Sequence, residues 1–152
     1  MSDFPVPWIV QVKQSDGTVL TVRLLLHQKP TRQAQKLKTL TQYVKRHPSG
    51  WKKRLALAEL RYEMGHWEEA IVDFRWVLSR QPDLPQGLSV RLKLSKMLEI
   101  LGRSAEAIVI YQDALTRITY EPSRHYLEQA IELCQKNINV SSNDSDSHKE
   151  EI

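Results

Sequence analysis

A single cysteine, Cys134, occurs in the 152 residues, so no disulfide can form within the chain and a reducing compartment is expected. Long apolar runs are also lacking. The nearest, VLTVRLLL at 19–26, is interrupted by Arg23 and is too short to span a bilayer, so no membrane insertion is expected. The opening MSDFPVPW has no basic stretch leading into an apolar one, which makes the cytoplasm the expected location. The Asn-x-Ser triplets at Asn139 and Asn143 then read as chance matches.

Catalytic signatures are missing as well. There is no Gly-rich phosphate loop, no Gly-x-Ser-x-Gly and no His-Glu-x-x-His, and His27, His47, His66, His125 and His148 are scattered. Cys134 lies on an apolar helix stripe and reads as a small buried hydrophobe. The chain is therefore expected to be no enzyme, with no metal and no cofactor.

Acids are scarce in one half. Residues 1–54 hold eleven Lys/Arg against Asp3 and Asp16, a net of +9, whereas residues 55–152 carry a net of −5. Residues 28–54 contain nine Lys/Arg and no acid. Such a dipole suits an acidic partner or head-to-tail self-association.

What is present is mostly helical periodicity, after one β signal. WIVQVK at 8–13 and TVLTVRLLL at 18–26 alternate apolar and polar residues around QSDG, as a β-hairpin does. From Thr31, an N-cap residue, Ala34, Leu37, Leu40 and Val44 form a helical stripe that His47-Pro48 ends. Further helices are expected over 51–64, 67–80, 88–101, 104–118 and 122–136. Their expected core includes Leu55, Ala58, Leu60, Ala70, Phe74, Leu94, Leu98, Leu101, Ala107 and Tyr111, then Tyr126, Ala130, Ile131 and Cys134. Glu68 and Glu69 fall in a first turn, where carboxylates offset the macrodipole. Trp76 is the candidate for packing on the N-terminal helix or on a second subunit. The segment 138–152, polar and acidic, reads as a disordered tail.

Two stretches repeat: GHWEEAIVDF at 65–74 and GRSAEAIVIY at 102–111. Each glycine follows one apolar helix and opens another, as at the turn of a helical hairpin. Pro48 and Pro82 lie 34 residues apart. With Leu57, Ala58, Gly65, Ala70, Phe74 and Pro82 in one copy, and Leu94, Gly102, Ala107, Tyr111 and Ala114 in the other, the chain resembles the tetratricopeptide repeat family. The glycine step is 37 rather than 34, and DLPQG at 83–87 absorbs the difference. Thr119 stands where the closing proline belongs.

The resemblance implies a mainly α fold, a stack of helical hairpins with a C-terminal capping helix, to which the alternation of 8–13 and 18–26 adds a short N-terminal β-hairpin. The divisions are a hairpin over 1–30, a half-repeat over 31–48, repeats over 51–84 and 88–119, a cap over 122–137 and the tail. It also implies a protein–protein interaction module, an adaptor or assembly factor, whose groove-facing positions would be Lys52, Leu55, Glu59, Tyr62, Ser89, Leu92, Lys96 and Glu99. The paired Lys and Asn with which some relatives clamp a chaperone's terminal carboxylate have no counterpart at Leu55, Glu59, Leu92 and Lys96. A second candidate surface is basic: Lys36, Lys38, Lys45, Arg46, Lys52, Lys53 and Arg54. It suits an acidic protein segment or, with Tyr43 and Trp51 interleaved, nucleic acid. Self-association, with a homodimer or a groove filled by the chain's own tail or hairpin, is the structural alternative.

Overall fold

The computed structural model describes residues 8–24 and 31–146. It divides into two units, Met1–Lys36 and Leu37–Ile152. The protein is mainly helical, with six helices among the described residues.

In the first unit, β1 (Trp8–Lys13) and β2 (Val19–Leu24) pair antiparallel, with Trp8 opposite Leu24, Val10 opposite Val22 and Val12 opposite Leu20. Polar turn chemistry joins them. Gly17 takes a positive φ of 87°, and Asp16 Oδ1 accepts from the Thr18 N–H at 2.9 Å. Leu26 and the residues around it lie outside the described residues.

Helix α1 (Arg32–Arg46) starts where Thr31 Oγ1 accepts the Ala34 N–H at 3.2 Å, an N-cap bond. In the second unit its residues Leu37, Leu40 and Val44 pack with Leu57, Leu60 and Met64 of the next hairpin. Four helices then form two hairpins: α2 (Trp51–Glu63) with α3 (Trp67–Arg80), and α4 (Gly87–Ile100) with α5 (Ser104–Arg117). The last helix, α6 (Glu121–Asp146), packs on α5.

The two hairpin turns are built alike. The His66 N–H bonds to Arg61 O at 2.8 Å and the Gly65 N–H to Tyr62 O at 3.1 Å; Arg103 to Leu98 O and Gly102 to Glu99 O repeat the pattern. This pair of bonds needs a left-handed residue, and Gly65 and Gly102 supply it with φ of 77° and 74°. A continuous core joins the hairpins through Ala58, Ala70, Phe74, Leu94, Met97, Ala107 and Tyr111. Each large side chain so buried contributes about 1.5–3 kcal/mol before entropy is counted.

Four expectations need correction. Leu101 is exposed, because it is the C-cap residue that leads into the Gly102 turn. Tyr126 is 51% exposed; its neighbour Leu127 is the residue that faces the core. Trp76 packs on the core of the two hairpins and not in the α1 cluster of Leu37, Leu40 and Val44. It lies under the guanidinium groups of Arg54 and Arg80, whose carbons are 4.5 and 5.4 Å from the ring centroid. The segment from Ile138 to Asp146, expected to be tail, continues α6. No Gly or Pro interrupts it, and the hydroxyls of Ser141 and Ser142 bond the carbonyls one turn back, Asn137 O and Ile138 O. A helix once nucleated adds one bond per residue. Residues 147–152 lie outside the described residues.

A candidate partner-binding face on helices 2, 4 and 6

A step of 37 residues relates α2 to α4, and applied once more it reaches α6. Leu57, Leu94 and Ile131 fall in register, as do Leu60, Met97 and Cys134. Five of these six are buried in one or other core cluster, and the sixth, Ile131, is half-buried against the core. By sequence register α6 therefore follows the α4–α5 hairpin as α4 follows the α2–α3 hairpin, and like α4 it packs on the helix before it. Its outward positions change character accordingly. Where α2 has Arg54, Ala58 and Arg61 and α4 has Arg91, Ser95 and Leu98, α6 has Glu128, Glu132 and Gln135. These three are exposed.

The expected groove positions fall on α2 and α4. Lys52 and Ser89 are exposed; Leu55, Glu59, Tyr62, Leu92 and Glu99 are half-buried; Lys96 is exposed. Several are tied together. Lys93 forms an ion pair with Glu59 and stands 5.4 Å over the Tyr62 ring, linking the two hairpins. Glu99 accepts a hydrogen bond from the Tyr111 hydroxyl and pairs with Lys96 at 3.4 Å. Burial, reinforced by the Glu99 carboxylate, pushes the Tyr111 phenol far above its ordinary range. It stays a neutral donor that fixes Glu99. Burial also raises the Cys134 thiol, so the nucleophilic thiolate is disfavoured.

Two clefts open between α4 and α6. One, of about 200 Å³, is mostly apolar and is lined by Leu88, Leu92, Pro122, Ser123, Tyr126 and Leu127. The other, of about 170 Å³, has Lys96 and Glu99 on one wall and Tyr126, Gln129 and Leu133 on the opposite one. Tyr126 is their shared wall, and Leu133 is 60% exposed. Reading α6 only as a cap hides its contribution, although the 37-residue step from Ser89, Leu92 and Lys96 leads to Tyr126, Gln129 and Leu133. A larger cleft of about 520 Å³ lies between the α4–α5 turn and the end of α6, but its cation, Arg103, is already paired with Glu106 and Glu68.

The basic positions separate into two kinds. Lys36, Lys38, Lys45, Arg46, Lys52 and Lys53 are exposed. Arg54 does not belong with them: its Nε donates to buried Asp73 at 3.0 Å while its plane covers Trp76. Among the described residues no helix is long and apolar enough to cross a membrane. No family model matches the chain, and no curated protein matches it.

Proposed function

We propose that the protein is a non-catalytic interaction module of tetratricopeptide-repeat type that holds a segment of another protein along the face shared by α4 and α6, with α2 extending it. The observation that carries this reading is the apolar cleft walled by Leu88, Leu92, Pro122 and Tyr126, next to a charged cleft holding Lys96 and Glu99. Apolar anchors flanked by fixed charges are what a peptide or a helix needs for affinity and register. The paired glycine turns and the 37-residue step support the repeat assignment, and the polar outward face of α6 fits a terminal cap. The cytoplasm is the proposed compartment, in keeping with one buried cysteine. Filling of the groove by the chain's own 138–152 is disfavoured for the part up to Asp146, which is committed to α6.

The test is a nuclease-treated pull-down comparing wild type with Leu92→Glu/Tyr126→Glu. Both side chains are partly exposed, so the variant should keep its helical circular dichroism. A protein captured by wild type should weaken by about 30-fold with the variant, the loss of roughly 2 kcal/mol typical of a central anchor. An unchanged capture profile from a folded variant would rule this face out.

A further inference from the structure

Ion pairing divides the cations of the helical unit by position. From Arg54 to Lys136, every described Lys and Arg except Arg80 lies within 4.0 Å of a carboxylate, and Arg80 sits on Trp76 instead. Lys38, Lys45, Arg46, Lys52 and Lys53 have no such partner among the described residues, and the sequence from Gly17 to Ala58 contains no acid at all. The geometry gathers several of them at one corner. Lys53 Nζ stands 5.8 Å over the Tyr43 ring, which is stacked on His47 at 4.3 Å, and Arg46 is the next residue back along α1. Lys38 and Lys45, seven residues apart, share a different face of the same helix, roughly 150° round from Tyr43.

A second observation is independent of pairing. Helices α3, α5 and α6 carry acids in their first turns, at Glu68 and Glu69, Glu106 and Glu121, whereas α1, α2 and α4 carry none; of these three, α2 begins with two adjacent cations, as Trp51-Lys52-Lys53. Cations there oppose the helix macrodipole, a placement that stability alone would not favour. Departures of this kind concentrate where a surface serves binding.

We propose that the cations of the α1–α2 corner form a second interaction surface, separate from the α4–α6 face, and that it takes an acidic segment of another protein. The helical unit of a second copy is a poor match up to Glu132: from Glu59 to Glu132 only Glu63, Glu69 and Glu121 lack a cationic partner among the described residues, and they lie at the ends of three helices rather than in a patch. Nucleic acid is also a poor match. The Tyr43 ring has His47 and Lys53 against it, and half-buried Trp51 lies beneath Lys52 at 5.7 Å, so no bare ring is offered for base stacking. Lysine ammonium groups on flexible stems suit carboxylates spaced along a mobile acidic chain.

The experiment measures fluorescence anisotropy of a labelled Glu/Asp-rich decapeptide and of a labelled ten-nucleotide oligothymidylate against the full chain. Wild type should bind the peptide at least as tightly as the oligonucleotide, with a loss of about tenfold on raising the salt from 50 to 200 mM. Arg46→Gln/Lys52→Gln/Lys53→Gln should weaken the peptide by about tenfold or more, and its melting temperature should hold or rise because the first turn of α2 is relieved. Arg103→Gln/Arg117→Gln/Lys136→Gln, with the same change in net charge at the two ends of α5 and on α6, should leave affinity within about twofold, and so should Leu92→Glu/Tyr126→Glu. Absence of peptide binding, equal losses in the two charge-matched variants, or a distinctly tighter oligonucleotide would each overturn the proposal. Because the α4–α6 variant is measured separately, failure here leaves the groove reading standing, and the converse also holds.

Discussion

The hairpins α2–α3 and α4–α5 lay matching side chains over one another and yet hold their buried charges in opposite ways. Leu57 and Leu94, Ala70 and Ala107, Phe74 and Tyr111 repeat at a step of 37, and so do Arg54 and Arg91. In the first hairpin the buried partner is the acid: Asp73 is 3% exposed and receives Arg54 at 3.0 Å and Arg61 at 2.5 Å. In the second, the position equivalent to Asp73 is Ile110, and the buried partner is the cation. Arg91, also 3% exposed, donates to Asp113 at 2.6 Å and to Pro82 O at 2.9 Å, while Asp113 stays partly open. Volume and turn geometry are thus repeated, whereas each hairpin meets the demands of its arginine locally.

That contrast makes its sharpest prediction about what a deletion leaves behind. Asp113→Ala strands a buried guanidinium with one carbonyl, and it should cost about 3 kcal/mol by urea unfolding. Asp73→Ala removes the more deeply buried carboxylate, but Arg54 and Arg61 are about one-fifth exposed and can turn to water, so about 1–2 kcal/mol is expected. The reverse order would show that burial of the deleted group, rather than of its survivor, sets the cost. At the turns the hairpins should instead behave identically. A Cβ on Gly65 or Gly102 meets nothing within 4 Å, so each Gly→Ala change should cost only its left-handed backbone, about 1–2 kcal/mol. Two clearly unequal costs would mean that the turns are less alike than their bonds.

A smaller effect separates Ala58 from Ser95, the paired positions where the helices of each hairpin approach. The Ser95 hydroxyl is fully buried and makes no hydrogen bond within the protein. Ser95→Ala should therefore raise stability by about 1 kcal/mol, and Ala58→Ser should lower it by a similar amount. Stabilisation by serine at either site would reveal an unseen polar partner, such as a buried water.

The glycine turns and the core of both hairpins were legible because they are written in residues that act locally: Gly65 and Gly102, and apolar residues at helical spacing. Three other features were not. Arg54 reads as one more surface cation until α3 brings Asp73, nineteen residues away, against it. Tyr126 and Leu127 are adjacent, and only the packing of α5 decides which of them turns inward. The Asn- and Ser-rich end of α6 has weak helix propensity, which composition reports, but continuation from a formed helix needs no strong former. The proposed binding face was legible in half. Its α2 and α4 positions follow from the repeat, whereas the wall from Tyr126 to Leu133 requires treating the cap as a third copy of the same helix.

The smallest predicted effect concerns pH. Glu69 and Glu106 occupy the same repeat position, but only Glu106 meets cations: Arg103 Nε donates to it at 2.7 Å and Arg75 reaches it at 2.5 Å. These hydrogen bonds, Arg103 first, hold its carboxyl down at about 2 against an ordinary value of 4.5. With the folded value below the unfolded one, the contribution is complete above about pH 4.5 and disappears as pH falls through about 2. Glu106→Gln should therefore flatten the acid limb of stability in that window, whereas Glu69→Gln removes no ion pair and should leave the limb as in wild type. Because Glu106 is 42% exposed, water and salt screen the pair, and the difference should be a fraction of what the same shift would give in a buried site. Thermal unfolding at pH 2.5, 3.5 and 5.5 in low salt, repeated in 0.5 M salt, would check it. A Glu106→Gln curve parallel to wild type at low salt would mean that Arg75 and Arg103 hold the hairpins together through packing of their stems and not through charge.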